Sequence, residues 1–261
     1  MDTRFWGPPG WRLLHLITFT YNPEATNRKA IESLFTYLPY VLPCKFCRAS
    51  LTGYMDDDPL LPSMESRAKF SKWLWRIHNK VNDKLRGQGI PTADNPSFDT
   101  VKKIYEGRIA EGCVRTDFEG WDFLFSLADN HPLSRDAKTS VPMEGCPSLT
   151  SRLCEEDKNR WNMMTPDERF EKYVEFWKSV GPSLPFQEWI DVWNSCDFDT
   201  ESLEKRTTLV RELWRIRCCM EKNLELSNKD TFQSLCKRVR SHRSGCSKKK
   251  RARTCRKTRK V

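Results

Sequence analysis

Several absences narrow the reading first. No apolar run approaches the roughly 18 residues needed to cross a bilayer. The opening Met1-Asp2-Thr3-Arg4-Phe5-Trp6 has no signal-peptide pattern, so a soluble, unsecreted chain with no membrane partner is expected. Strand-like alternation is missing, and with it the βαβ units that a Rossmann or thioredoxin arrangement requires. The tryptophans do not recur at a fixed period, which argues against an internal repeat. Cysteine, at 11 in 261 residues, is too sparse for a small secreted disulfide scaffold. Its odd number leaves at least one sulfur unpaired, and there is no second Cys-x-x-Cys beyond the one at 44–47.

Acidic residues are missing from the end of the chain. Of the 45 Lys and Arg residues, 13 lie between Cys236 and Val261 with no Asp or Glu among them, leaving 32 against 35 acidic residues over 1–235. The net charge of +10 therefore belongs to the tail. Its densest part, Lys248 to Arg253, fits a disordered solvated segment, a nuclear-localisation signal or a salt-sensitive, sequence-independent contact with nucleic-acid phosphates. With few aromatics there, base stacking is not expected.

What is present is helical periodicity. Trp11, Leu13, Leu14, Ile17 and Tyr21 mark a helix over 8–21; Ile31, Leu34, Phe35 and Leu38 mark a second over 25–38, stopping at Pro39. A third opens at the Cys-x-x-Cys and runs to about Tyr54. Phe70, Trp73, Leu74, Ile77, Val81 and Leu85 define a long helix over 64–86, and a shorter one begins at Ser97-Phe98 and reaches about Tyr105. Beyond Gly107 the pattern stays helical, over 119–129, 166–180, 185–194 and 201–225. The fold class expected is all-α, with a first domain over 1–110, a helical accessory domain over 111–235 and a basic tail over 236–261. The tryptophan-rich faces between 161 and 214 read as core.

Pro43-Cys44-Lys45-Phe46-Cys47 carries the chemistry. Two cysteines three apart at a helix start can close a small disulfide ring, and the orphan N–H groups and helix dipole there favour a thiolate. The same spacing is half of a zinc site, which His15 and His78 would complete. Zinc would leave unexplained the polar stripe of His78, Asn79 and Asn82 on a helix otherwise built for burial. Buried Asn and His without partners each cost about 1–3 kcal/mol, so a polar ligand or a satisfied network is expected there.

Taken together, Trp11-x-x-x-His15, Cys44-x-x-Cys47 and His78-Asn79-x-Val81-Asn82, in this order over about residues 5–106, resemble the FAD-dependent sulfhydryl oxidases of the Erv/ALR family. The resemblance implies a four-helix bundle with a short fifth helix and FAD as cofactor, with no metal. Cys47 would contact the flavin, and Cys44 would be the sulfur open to exchange. Trp11 and His15 would pack on the cofactor, with His78, Asn79, Asn82 and Lys84 binding it, and Tyr105 would stand where relatives often carry Trp. The implied activity forms disulfides in protein dithiols, a thioredoxin-like carrier being one candidate, and passes electrons to oxygen to give hydrogen peroxide.

The sequence departs from the family at three points. Leu42 precedes Pro43-Cys44 where relatives often have Tyr. Trp75 and a residue near Thr100 replace the cysteines of a structural staple. No second motif supplies a shuttle disulfide, for which the candidates are Cys146 with Cys154, Cys246 with Cys255, the vicinal Cys218 and Cys219, and lone Cys113 or Cys196. Adjacent helical cysteines point about 100° apart, which disfavours a Cys218–Cys219 bond. A homodimer is expected by resemblance, and the layout, similar to large-DNA-virus members, suggests host cytoplasm or virion, with a nuclear address if the tail acts as one. The alternative reading is a nucleic-acid-associated or virion structural protein that keeps the helical scaffold without the chemistry.

Overall fold

The computed structural model describes residues 2–111, 118, 120–134, 153–226 and 230–243, and among these every regular element is a helix. Cys113, Cys146, Cys246, Cys255 and the run from Lys248 to Arg253 lie outside the described residues.

Helix α1 (Thr3–Thr20) starts five residues before the expected position because Asp2 caps it, accepting from the Arg4 backbone N–H at 3.0 Å. Pro8 and Pro9 fall in its second turn, where the helix forgoes the ladder bonds they cannot donate. Gly10 is required by packing: a Cβ there would sit 2.8 Å from the Phe123 ring. Helix α2 (Arg28–Val41) does not stop at Pro39 as expected but continues for two residues beyond it. Pro39 removes its own N–H from the ladder and crowds the Phe35 carbonyl, and the buried Leu38, Tyr40 and Val41 hold the last turn in place despite that cost.

Helix α3 (Lys45–Asp57) carries the Cys-x-x-Cys, and the short α4 (Leu60–Ser63) leads into α5 (Arg67–Gly87), capped by Ser66. Helix α6 (Phe98–Glu111) extends past the expected end at Tyr105. Phe35, Phe70, Trp73 and Tyr21 form the centre of this half, with the Phe35–Phe70 and Tyr21–Phe70 rings edge-to-face at 4.9 and 5.0 Å. Where the family's cysteine staple is missing, Trp75 stands edge-to-face with Phe98 at 5.9 Å and donates from its indole to the Pro96 carbonyl at 2.9 Å, tying α5 to the start of α6.

Six further α-helices follow among the described residues: α7 (Trp121–Asp129), α8 (Glu155–Arg160), α9 (Pro166–Val180), α10 (Gln187–Ser195), α11 (Arg206–Asn223) and α12 (Phe232–Ser241). Helix α9 begins with a reciprocal capping box of Thr165 and Glu168. It packs along α2, while α7 packs on α1 and α8 on α3. One apolar core runs without interruption from Trp6 through Leu34 and Trp177 to Val239.

A disulfide joins Cys196, at the end of α10, to Cys219 in α11, with Cα atoms 6.0 Å apart. Cys196 is therefore not the lone cysteine it was expected to be, because the facing helices bring the two side chains together, and Cys219 bonds away from its neighbour Cys218, as the geometry of adjacent helical cysteines favours. Part of the segment expected to be basic tail is helical. Residues 232–241 are a helix with Leu235 and Val239 buried, and Arg238 pairs with Asp122 and Asp230 at 2.9 and 2.7 Å. Arg243 reaches Asp129 at 2.6 Å. No helix among the described residues is long and apolar enough to cross a membrane.

Candidate active site

Pro43 ends the extended link after α2, and Cys44 then serves as the N-cap of α3, its carbonyl accepting from the N–H groups of Cys47 and Arg48 at 2.9 and 3.0 Å. This leaves the first N–H groups of the helix beside the two sulfurs, the field that stabilises an anion. Both cysteines are half-buried and pack against the core, so the pair is reachable yet walled on one side.

The expected cofactor residues come from three helices. Trp11 and His15 project from α1, His78 from α5 and Tyr105 from α6. The Trp11 and His78 rings stack at 4.0 Å with 11° between planes, His15 and Tyr105 stack at 5.1 Å, and Tyr105 continues onto Phe19 at 5.3 Å. His15 Nε2 lies 3.1 Å from His78 Nδ1, in hydrogen-bond range with one ring donating. Burial, then the neighbouring His78, pushes His15 down to about 3, and burial pushes His78 down to about 4. Both are neutral at physiological pH, so each ring offers one N–H and one lone pair.

Asn79, Asn82 and Lys84 lie further along α5 on its half-buried portion. Asn82 donates to Asn95 Oδ1 at 3.2 Å, and Lys84 donates to the Phe46 carbonyl at 3.2 Å and to Ser50 Oγ. Lys84 therefore ties α5 to the turn of α3 that holds Cys47, a role the residue pattern alone did not disclose. Val81 and Leu85, expected in the core, are only half-buried, and no residue of α5 beyond Ile77 is fully buried. Among the described residues no group of three or more His, Cys, Asp or Glu side chains is gathered as metal ligands.

Two buried arginines bind carbonyls at the end of α2. Arg48 is 7% exposed and donates to the Leu42 carbonyl at 2.8 Å and to Asn162 Oδ1 at 3.0 Å. Arg169 of α9 is 8% exposed and reaches the Tyr40 carbonyl at 3.5 Å. From sequence, Arg48, like Lys45, is placed where it could tune the thiolate at Cys44, but its burial is not legible there, and Arg169 is not singled out at all.

Residues 9–105 match the family model described as the Erv1 / Alr family. Through that segment the chain is similar to the Erv1/Alr family. The mitochondrial FAD-linked sulfhydryl oxidase ERV1 of Saccharomyces cerevisiae is 29% identical over 113 residues, 42% of this chain and 53% of the yeast protein. A protein of Invertebrate iridescent virus 3, whose name gives the same activity provisionally, is 28% identical over 120 residues, 45% of this chain and 80% of its own. The FAD-linked sulfhydryl oxidase ERV1 of Arabidopsis thaliana is 30% identical over 81 residues, 30% of this chain and 41% of the plant protein. The chain thus spans about half the length of the yeast relative, and the Erv1/Alr match ends before α7. No solved structure matches the chain.

Proposed function

We propose that the protein is a FAD-linked thiol oxidase that forms disulfides in protein dithiols. The observation that carries this reading is the convergence of Trp11, His15, His78 and Tyr105 on one another within the same bundle that presents Cys44 and Cys47. Relatives named as FAD-linked sulfhydryl oxidases share this segment.

The residues fit a flavin. His15 Nδ1 is buried without a hydrogen-bond partner, a donor or acceptor site costly to leave unused. The flat rings of Trp11 and Tyr105 and the half-buried Val81 and Leu85 offer apolar walls, as a tricyclic ring requires. Trp11, His15, His78, Asn79, Asn82, Lys84 and Tyr105 are the residues that would hold it. When bound, FAD supplies a two-electron acceptor that oxygen can reoxidise, with hydrogen peroxide as the product.

The protein's own part is thiol exchange. A substrate thiolate attacks Cys44 Sγ of the oxidised pair, breaking the Cys44–Cys47 bond and forming a mixed disulfide; the second substrate thiol attacks its own sulfur and releases Cys44. The substrate leaves with a new S–S bond, two electrons stay on the cysteine pair, and the helix start stabilises the thiolate at Cys47. Neutral His15 and His78 orient without adding charge, and Lys84 holds the Cys47 turn against α5.

In an oxygen electrode with dithiothreitol, Cys44→Ser and Cys47→Ser are each expected to abolish oxygen consumption while leaving the protein yellow. Normal turnover in either variant would overturn the assignment, and a folded, colourless wild-type protein would favour the structural-scaffold alternative.

A further inference from the structure

The helix bearing Cys44 and Cys47 also bears a buried cation whose hydrogen-bond acceptors among the described residues are all uncharged. A buried guanidinium ordinarily faces a carboxylate, since an uncompensated buried charge is expensive. Both hydrogen-bond acceptors of Arg48, the Leu42 carbonyl and Asn162 Oδ1, are uncharged, and its Nε is buried without a hydrogen-bond partner. Burial pushes Arg48 down to about 10, and the groups opposing that shift are the sulfurs of Cys44 and Cys47. Arg169 adds a second buried positive charge: burial and then Arg48 push it down to about 9, with Glu168 as the lesser, opposing influence. Arg48 directly follows Cys47 and stands one helical turn after Cys44 at the start of α3, so the redox sulfurs are its neighbours on the helix.

Arg48 is held from outside the matched segment. Asn162 follows α8 in the left-handed region at φ 57°, which Asn tolerates better than most residues. The Met163 N–H to Lys158 carbonyl bond of 2.7 Å closes the helix there. Helix α8 is seated by the fully buried Asn159, which donates to the Pro39 carbonyl at 3.2 Å and to Thr52 Oγ1 at 2.9 Å, bridging the end of α2 and the middle of α3. The position of Asn162 over Arg48 is thus fixed by packing.

We propose that Arg48, held in place by Asn162 of the accessory region, is a positioning residue that stabilises the Cys44–Cys47 thiolate and so sets how oxidising this disulfide is. The inference rests on the reading of these two cysteines as a redox couple. When a substrate dithiol reduces the pair, the Cys44–Cys47 bond breaks and a substrate disulfide forms. One of the two thiol protons stays on the pair and the other goes to solvent, leaving one sulfur as a thiolate. A cation beside that sulfur favours the reduced state, and the couple becomes a stronger oxidant.

The test uses the full-length protein equilibrated in glutathione buffers, with acid quench, alkylation and mass measurement of the Cys44–Cys47 state. Arg48→Gln removes the cation and Asn162→Asp places a carboxylate on it in a residue type that also accepts left-handed φ. Each is expected to move the exchange constant about tenfold towards the disulfide, equivalent to about 30 mV, and to slow alkylation of Cys44. Arg48→Lys, which keeps the charge but not the fork, is expected to restore at least half of the shift.

An exchange constant within about twofold of wild type in folded Arg48→Gln and Asn162→Asp proteins would leave Arg48 a structural residue and overturn the proposal. If Arg48→Gln does not fold, Asn162→Asp decides alone. A shifted constant in a protein that binds no flavin would retain the tuning and remove the oxidase reading, so the two failures are distinguishable.

Discussion

At the scale of single residues, the two histidines carry a pH dependence that follows from their burial. Both are held well below the ordinary histidine value, about 3 for His15 and about 4 for His78. Above pH about 6.5 neither the folded nor the unfolded chain protonates them, and their contribution to stability is complete. As pH falls from about 6.5 towards 4, the unfolded chain takes up protons that the folded site refuses, costing up to about 1.4 kcal/mol per pH unit for each ring. In urea unfolding, His78→Asn is expected to lose about 2 kcal/mol less than wild type between pH 6.5 and 5; an equal loss in both proteins would contradict this. Trp11, His15 and His78 were legible in the sequence because a helical face puts them in register. Arg48 was legible as a cation beside Cys44, but its burial against Asn162 was not, since nothing local to either residue signals a partner 114 positions away.

At the scale of elements, periodicity located most helices, and the misses have local causes. Pro39 reads as a stop, but the buried last turn of α2 holds past it. Helix α8 is only six residues long and polar, below what an apolar period can reveal, yet it places Asn159 and Asn162 on α3. The Cys196–Cys219 link could not be read from spacing, because their separation of 23 positions pairs two helices rather than a motif. A loop of that size closed by a disulfide contributes about 3–4 kcal/mol in the chain-entropy account. Cys219→Ser is therefore expected to lower the thermal midpoint markedly without reductant, while oxygen uptake at low temperature persists; loss of activity with an unchanged midpoint would instead make this disulfide a relay. Gly181 is the tightest contact between elements, a Cβ there falling 2.2 Å from the Trp193 ring. Gly181→Ala is expected to cost about 1–3 kcal/mol in denaturant titration as Trp193 is displaced, and a neutral result would show that the ring has room to move.

At the scale of the whole molecule, composition separated a basic end from a slightly acidic body, but charge alone did not show that part of that end is structural. Arg238 and Arg243 pair with Asp122, Asp230 and Asp129, fastening α12 to α7 and the adjoining chain. The Erv1/Alr segment and the region after it share one core, with α2 covered by α9 and α1 by α7. A fragment of residues 1–110 would expose those faces, and it is expected to unfold well below the full chain or without a cooperative transition; a fragment as stable as the full chain would show that the two parts fold independently. The central claim, that Cys44 and Cys47 pass electrons from thiols to a flavin held by Trp11, His15, His78 and Tyr105, is tested most directly by absorbance under anaerobic conditions. Addition of dithiothreitol is expected to bleach the flavin band of the wild-type protein and leave that of Cys47→Ser unchanged. A folded wild-type protein without a flavin band, or a Cys47→Ser protein bleached at the wild-type rate, would contradict it.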